Sequence, residues 1–429
     1  MTGLTHSRLL AMRTFKPLTK IRVLSFELAF SLPSGTRALH DLGADVVRVA
    51  QPERAQDRYI SVIDGVFHGK RCISIDLTSE EGRKVARQLA NKADVICSNF
   101  RPHVLGKYGL DAATLRADRP ELICLQVSGY GTPGPWSDYP AFGPSTEAAG
   151  GLTRLQSADD EMPNRLGTGV FSDQLSGRHA ALAVVAALRK RQQTGRGATI
   201  DHSMTAAVSH LIGVPLARAA ITGEVRPYQG NRDTRYAPQG IYPAKGDDEW
   251  IAITITGDLP WRSLAEMVPT LDPDLTHLER AAQHNDIDTQ ISTWTSSFDK
   301  DALTTRLQDQ GIAAAPVRTV KDSNSDPQFR ARGALQDVRH RNAKLGHKHH
   351  PHPPLPWRVV GRARRTLTDY RHTGQDNEQV LQEWLGLEAS EVRRLVATGA
   401  LTKAPPLELA ERPASPLRDP DHASKVGLE

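Results

Sequence analysis

The chain has 429 residues, 39% hydrophobic and 24% charged, with six tryptophans, a composition expected of a soluble globular protein of two or three domains. No apolar run approaches the ~20 residues of a membrane-spanning helix, so a membrane protein and a wholly disordered chain are both excluded. The formal net charge is +5, and residues 1–20 supply Arg8, Arg13, Lys16 and Lys20 without an acid, which leaves the remainder too balanced for a nucleic-acid footprint along the whole chain.

Three cysteines, Cys72, Cys97 and Cys124, are odd in number and never in a C-x-x-C arrangement. Neither a disulfide framework nor a zinc knuckle is indicated, and a reducing, cytoplasmic compartment is expected. Residues 1–20 read as a loose extension; being basic, acid-free and mildly apolar, they also fit a mitochondrial presequence and hence the mitochondrial matrix.

From Ile21 the chain alternates between strand and helix signals. Ile21–Phe26 reads as a strand, Pro33–Leu42 as a helix and Ala44–Val49 as a second strand, a β-α-β unit. Further strands are expected at Cys72–Leu77, Asp94–Cys97 and Leu122–Ser128, with a helix opening at the Thr78-Ser79-Glu80-Glu81 cap signal. These predict an α/β fold with a mostly parallel sheet. Asp173 to about Gln193 carries Leu175, Leu182, Val185 and Leu188 at helical spacing, apolar around most of its circumference, which predicts a buried helix. The texture changes around Tyr236–Pro243. A strand at Trp250–Thr256, amphipathic helices and a strand-like Ala313–Val317 predict a smaller α/β domain.

Residues 339–372 carry nine Arg and Lys against Asp369 alone, with six histidines among them. Asn377–Leu385 and Ser390–Val396 then read as two short helices, the first ended by Gly386. Ala404–Glu429 holds five prolines and no apolar period, the composition of a disordered tail.

Several residues could carry chemistry. Asp173 follows Gly167-Thr168-Gly169-Val170-Phe171-Ser172 at the start of the long helix, where the free N–H groups and the helix dipole favour an ionised carboxylate. It is either a nucleophile for an activated carbonyl or, with Ser172, a helix cap, and position alone favours the cap. Ser128-Gly129-Tyr130-Gly131 follows a strand, where a ligand loop or a plain turn would sit. Lys70-Arg71, Arg101 and Lys107 lie near strand ends, as phosphate-binding cations or as solvated surface charges. Asn99-Phe100-Arg101 combines an amide, an aromatic face and a guanidinium able to bracket an adenine and its phosphates. His347, His349, His350 and His352 match no helical metal-ligand spacing, so no metal is expected. Gly129-Tyr130-Gly131-Thr132-Pro133-Gly134 has the G-x-G-x-x-G spacing but no helix opens directly after it, so it is not read as a dinucleotide fingerprint, and neither G-x-S-x-G nor a Walker loop is present.

Taken in order, GADVVRV, GKRCISIDL, NFRPHVLGKYGLD, SGYGTPGPW, AFGPSTEAAGGL, the run from FSDQ to TGRGATID and PQGIYPAKG resemble the family III CoA-transferases. These are the formyl-CoA transferase and carnitine CoA-transferase type, which also includes alpha-methylacyl-CoA racemase. The likeness runs from about Ile21 to Gly399.

The resemblance implies an acyl-CoA:carboxylate CoA-transferase in which Asp173 is the covalent nucleophile, passing through an aspartyl anhydride and an aspartyl-CoA thioester. It implies CoA contacts at Lys70, Arg71, Asn99, Phe100, Arg101 and Lys107, with Ser128, Gly129, Tyr130 and Gly131 near the pantetheine and acyl end. No tightly bound cofactor is implied; CoA enters as part of the substrate. The partners are acyl-CoA and carboxylic acid substrates and a second copy of the chain in an interlocked homodimer, with no nucleic acid and no membrane. A Rossmann-like large domain over 21–225 would be completed by a linker and C-terminal part over 331–403. A small domain over 226–330 lies between them, with 1–20 and 404–429 outside the fold. The chain departs from the pattern at Ser25, Phe30 and Ala50, in the acyl pocket and nucleotide contacts. The racemase branch has its catalytic histidine and aspartate where this chain has Phe142 and Gly143, which ranks epimerisation at C2 below CoA transfer. Binding of nucleic acid by 339–372 ranks lower still.

Overall fold

The computed structural model describes residues 14–50, 65–156, 163, 171–225, 230–339 and 349–402. Strand β1 (Arg22–Phe26) is apolar on both faces because both are covered. Val23 packs with Leu39, Ala180 and Val184, whereas Leu24 packs with Val85, Leu89 and Leu381. After β1 come α1 (Ser31–Asp41), β2 (Asp45–Ala50), β3 (Arg71–Ser74), α2 (Glu80–Ala90), β4 (Val95–Ser98), α3 (Ala112–Asp118) and β5 (Ile123–Ser128). Then follow α4 (Gly143–Ala149), α5 (Phe171–Thr194), β6 (Thr199–Ser203), α6 (Met204–Leu211) and α7 (Gly213–Thr222). The Ser79 hydroxyl caps α2 by accepting the Gly82 N–H at 3.0 Å, as the cap signal predicts.

The 6-stranded sheet is parallel throughout, in the order β3-β2-β1-β4-β5-β6. The chain reverses its direction across the sheet between β1 and β4. In such sheets the loops leaving β1 and β4 diverge and open a crevice at the carboxyl ends of the strands.

The long helix α5 departs from its expected burial. Its covered side carries Ser176, Gly177, Ala180, Ala181 and Val184 and lies against α1, where a Cβ on Gly35 would come within 2.5 Å of the Gly177 carbonyl oxygen. Glycine at both positions permits that approach. On the far side Leu182 is 67% exposed, so the apolar circumference is only half used within one chain. No residue of the equally apolar α7 is buried. Among the described residues no single helix is long and apolar enough to cross a membrane.

The described residues fall into two compact units, the first holding those up to 152, from 171 to 213 and from 333 onward. The second holds 153–156, 163, 214–225 and 230–332. Its three-stranded antiparallel sheet is β7 (Gln239–Pro243), β8 (Trp250–Thr254) and β9 (Ala313–Pro316). Helices α8 (Asp258–Met267), α9 (His284–Thr295) and α10 (Lys300–Asp309) bury Trp261, Ile287, Ile291 and Leu303 against it.

The chain then returns to the first unit. A short antiparallel pair, β10 (Gln336–Arg339) and β11 (His349–His352), precedes α11 (Asn377–Leu385) and α12 (Ala389–Ala397). Val380, Leu381, Trp384, Val392 and Leu395 from these two helices enter the core beside Leu24 and Phe26. The Asp376 carboxylate accepts the Cys72 N–H at 2.8 Å and the Asn377 amide oxygen accepts that of Ser74 at 3.0 Å, which closes the β3 edge of the sheet.

The expected loose extension differs from residue 14 onward. The Leu18 N–H donates to the Leu42 carbonyl at 3.0 Å and the Leu18 side chain packs on the core. Residues 1–13, His347 and the tail from 403 lie outside the described residues. In the basic stretch, Arg364 donates to the Gly333 carbonyl, Arg365 to that of His40, and Arg371 lies 3.8 Å from Asp376, so these three cations serve internal contacts.

Candidate active site

A cleft of about 370 Å³ opens at the carboxyl ends of β1, β4 and β5, where the sheet order places a crevice. Leu28, Asn99, Phe100, Arg101, Ser128, Gly129, Tyr139 and Phe142 are among the residues lining it. Five of the residues singled out from the sequence, Asn99, Phe100, Arg101, Ser128 and Gly129, therefore meet in one place.

Each is held differently within the chain. Asn99 spends its amide on the loop after β1: its oxygen accepts the Leu28 N–H and its nitrogen donates to the Leu28 carbonyl, both at 2.8 Å. Phe100 is 7% exposed and meets the Phe26 ring edge-on at 6.3 Å, so it is part of the core beneath the cleft rather than a free stacking face. Arg101 is exposed at the cleft, and Lys107 is exposed on the 3-10 turn Leu105–Tyr108. The Ser128 hydroxyl accepts the Gly131 N–H at 3.0 Å, and Gly131 has φ of 81°, a conformation glycine adopts readily. The Gly129 carbonyl is held by the Thr205 hydroxyl at 2.9 Å. Tyr130 turns toward Trp136 and Tyr139, ring centroids 5.3 and 6.5 Å away.

The structure does not bring Lys70 and Arg71 to the lining of this cleft. The Lys70 side chain is 0% exposed and its ammonium is used up on the Glu27 carboxylate, the Thr36 hydroxyl at 2.8 Å and the Pro33 carbonyl at 3.1 Å. Burial pulls its pKa down to about 8, and Glu27 opposes that pull. No hydrogen remains for a phosphate. Arg71 opens β3, at the amino end of the strand and so opposite the crevice, and its guanidinium bridges Asp45 and Glu383.

Asp173 sits in the first turn of α5, 8% exposed. It is not a cap, because α5 already begins at Phe171, and among the described residues its carboxylate accepts no hydrogen bond. Ser172 is not a cap either; its hydroxyl donates to the Gly143 carbonyl at 3.0 Å. Burial first, and the charge of Glu147 second, push the Asp173 carboxyl up to about 6, the opposite direction from the helix-dipole expectation. At neutral pH it is still mainly ionised, as a more basic anion than an ordinary aspartate. Its backbone is set from two sides. The Ser172 N–H donates to Glu147 Oε1 at 3.0 Å, and the Ser34 hydroxyl of α1 lies 3.5 Å from the Asp173 carbonyl.

Helix α4 joins the two features. Phe142, at its amino end, lines the cleft and is 72% exposed, while Thr146 and Glu147 hold Ser172. Glu147 carries no sequence signal beyond being the one acid among the small residues of Gly143–Ala149. The positions of the racemase histidine and aspartate, Phe142 and Gly143, offer an exposed ring and a carbonyl engaged by Ser172, neither of them a base. His352 is buried against the His68 ring, centroids 4.2 Å apart.

The profile of CoA-transferase family III matches residues 18–377. A succinyl-CoA–D-citramalate CoA-transferase of Chloroflexus aurantiacus is 32% identical over 75% of this chain and 84% of its own. A succinate–glutarate CoA-transferase of Agrobacterium fabrum is 28% identical over 75% and 85%. The crystal structure of a CAIB/BAIF family protein from Brucella suis superimposes with a TM-score of 0.78 at 26% identity, covering 86% of this chain and 99% of that one. With a match of that extent around the crevice and Asp173, the chain belongs to CoA-transferase family III and is a CoA-transferase.

Proposed function

We propose that this enzyme moves CoA between carboxylic acids by covalent catalysis at Asp173, with succinyl-CoA or a related dicarboxylate thioester as donor. The observation that carries this reading is a nearly buried carboxylate with no hydrogen-bond partner among the described residues, raised to about 6, at a helix start tied to the wall of the cleft. A carboxylate left without donors keeps its lone pairs for attack, and its raised basicity makes it a better nucleophile. The dicarboxylate donor is taken from the names of the relatives, which act on succinyl-CoA and on acids such as citramalate and glutarate.

An Asp173 oxygen adds to the thioester carbonyl and the carbon–sulfur bond breaks, giving a mixed anhydride and CoA thiolate. The thiolate adds to the aspartyl carbonyl and releases the first acid, leaving an aspartyl-CoA thioester. The acceptor carboxylate repeats the two steps in reverse order. Arg101 is the cation best placed for the phosphates of CoA, and Lys107 lies one short turn beyond. The exposed apolar sides of α5 and α7 are the faces a second copy would cover in an interlocked homodimer.

Oxygen tracing tests the reading. An acceptor acid labelled with ¹⁸O in its carboxylate passes label to Asp173 and then to the acid released in the next turnover. Label confined to the acceptor, or full activity in Asp173→Ala, rules the scheme out.

A further inference from the structure

One buried group beside the site has no role in the scheme above. Glu147 is 1% exposed, and among the described residues only one of its carboxylate oxygens is used: Oε1 accepts the Ser172 N–H at 3.0 Å, while Oε2 is buried with no hydrogen-bond partner. Among the described residues no cation pairs with it. A buried carboxylate left in this state is expensive and persists where it serves a purpose.

We propose that Glu147 is a positioning residue for Asp173: it fixes the backbone of the first turn of α5 and sets an uncompensated negative charge beside the attacking one, so that acylation of Asp173 relieves a repulsion built into the free enzyme. The proposal rests on Asp173 being the nucleophile. The anchoring half follows from the Ser172 contact, since the residue held is the neighbour of Asp173 and its hydroxyl is fixed as well, by Thr146 and the Gly143 carbonyl. The electrostatic half follows from the absence of a counter-ion. When the Asp173 oxygen bonds to the acyl carbon and the carbon–sulfur bond breaks, the charge leaves on the thiolate, Asp173 becomes neutral and Glu147 no longer faces a like charge. No proton moves in this step.

Other charged groups packed on α5 face different residues. Arg37 and Asp41 of α1 act on Arg178, and His40 faces Arg365 and Lys70. His202 of β6 and His210 of α6 meet the His179 ring, and Asp201 accepts the Thr132 N–H. Strand β5 carries no charged side chain. Among the described residues Glu147 is thus the charge that acts on Asp173.

Glu147→Gln is the test, because the amide oxygen still accepts the Ser172 N–H while the charge is gone. The acid limb of the kcat/KM profile moves to lower pH by about one unit. The covalent fraction relative to free enzyme falls by the matching factor, ~10-fold per unit. A folded Glu147→Gln protein with an unmoved acid limb overturns the proposal. Glu147→Asp keeps the charge but retreats from Ser172, so it is expected to lower turnover and leave the acid limb in place; a limb shifted to lower pH overturns the proposal too. A substrate-free measurement separates this from the nucleophile assignment. The pH-dependent change in melting temperature caused by Asp173→Asn should shrink in the Glu147→Gln background. Equal changes in both backgrounds overturn the coupling whether or not Asp173 is acylated. Shrinkage in a protein whose Asp173 cannot be trapped leaves the coupling standing and removes the nucleophile instead.

Discussion

Two buried carboxylate sites in the first unit are built in opposite ways. Glu27 has a full set of partners: the Lys70 ammonium, the Thr36 hydroxyl at 2.6 Å and the Ser25 hydroxyl at 2.7 Å. Asp173 and Glu147 have neither a cation nor, between them, more than one accepted hydrogen bond among the described residues. The first arrangement compensates its charge and holds the loop after β1 to α1. The second leaves charge uncompensated where the proposed scheme places the reaction. Satisfied charge at Lys70 therefore reads as architecture, and unsatisfied charge at Asp173 reads as chemistry.

The sharpest way to break this contrast is to remove one member from each side. Asp173→Ala should abolish CoA transfer, by ~10³-fold or more, and leave the fold intact, as steady-state assays and circular dichroism would record. Lys70→Met should do the reverse. It strands Glu27 as an unpaired buried charge, costing about 3–5 kcal/mol in denaturant unfolding. A Lys70→Met protein of normal stability that had merely lost affinity for acyl-CoA would restore Lys70 as a ligand contact.

Asp173→Asn sharpens the comparison through pH. The folded carboxyl, at about 6, lies above its ordinary 3.8, so folding favours the protonated form. That favourable contribution is complete below the ordinary value and is lost as pH rises through 6. At pH 7.5 the ionised group is a burden, and Asp173→Asn should stabilise the protein by up to ~3 kcal/mol, a gain that fades below pH 4. A gain independent of pH would mean that Asp173 is not held above its usual range.

The smallest effects concern the two arginines. Arg101→Ala should raise KM for acyl-CoA by about tenfold, less at high salt, with kcat unchanged. Arg71→Ala should leave KM alone and cost about 1 kcal/mol at most, since its partners Asp45 and Glu383 are partly solvated.

What could be read from residue order was the part governed by local rules. The alternation of β1, α1 and β2, the Ser79 cap and the Gly386 stop are dictated within a few residues, and the structure follows them. Residues 99–101 and 128–129 could be singled out because they stand at or just after strand ends, and the sheet order, which no local signal gives, brings them to one crevice. The partners of Lys70 and Arg71 were not legible because they are distant in sequence: Glu27, 43 residues away, and Glu383, 312 residues away. Nothing in a run of charges says whether a carboxylate returns from far along the chain to meet it. Glu147 went unread for a related reason. Its meaning comes from Ser172, 25 residues on, and from an oxygen with no partner among the described residues, neither of which has a spacing to recognise. The half-exposed face of α5 shows the limit of periodicity, which reports that a helix is apolar all round but not how much of that surface its own chain covers.

The central claim is that the Asp173 carboxylate itself becomes bonded to the acyl group and then to CoA. Rapid mixing with succinyl-CoA, acid quench and intact-protein mass spectrometry, followed by peptide mapping, measures this directly. A mass increase of one CoA moiety mapped to the peptide bearing Asp173, and absent from Asp173→Asn, is the predicted result. Rapid transfer with no adduct, or an adduct on another residue, would contradict it.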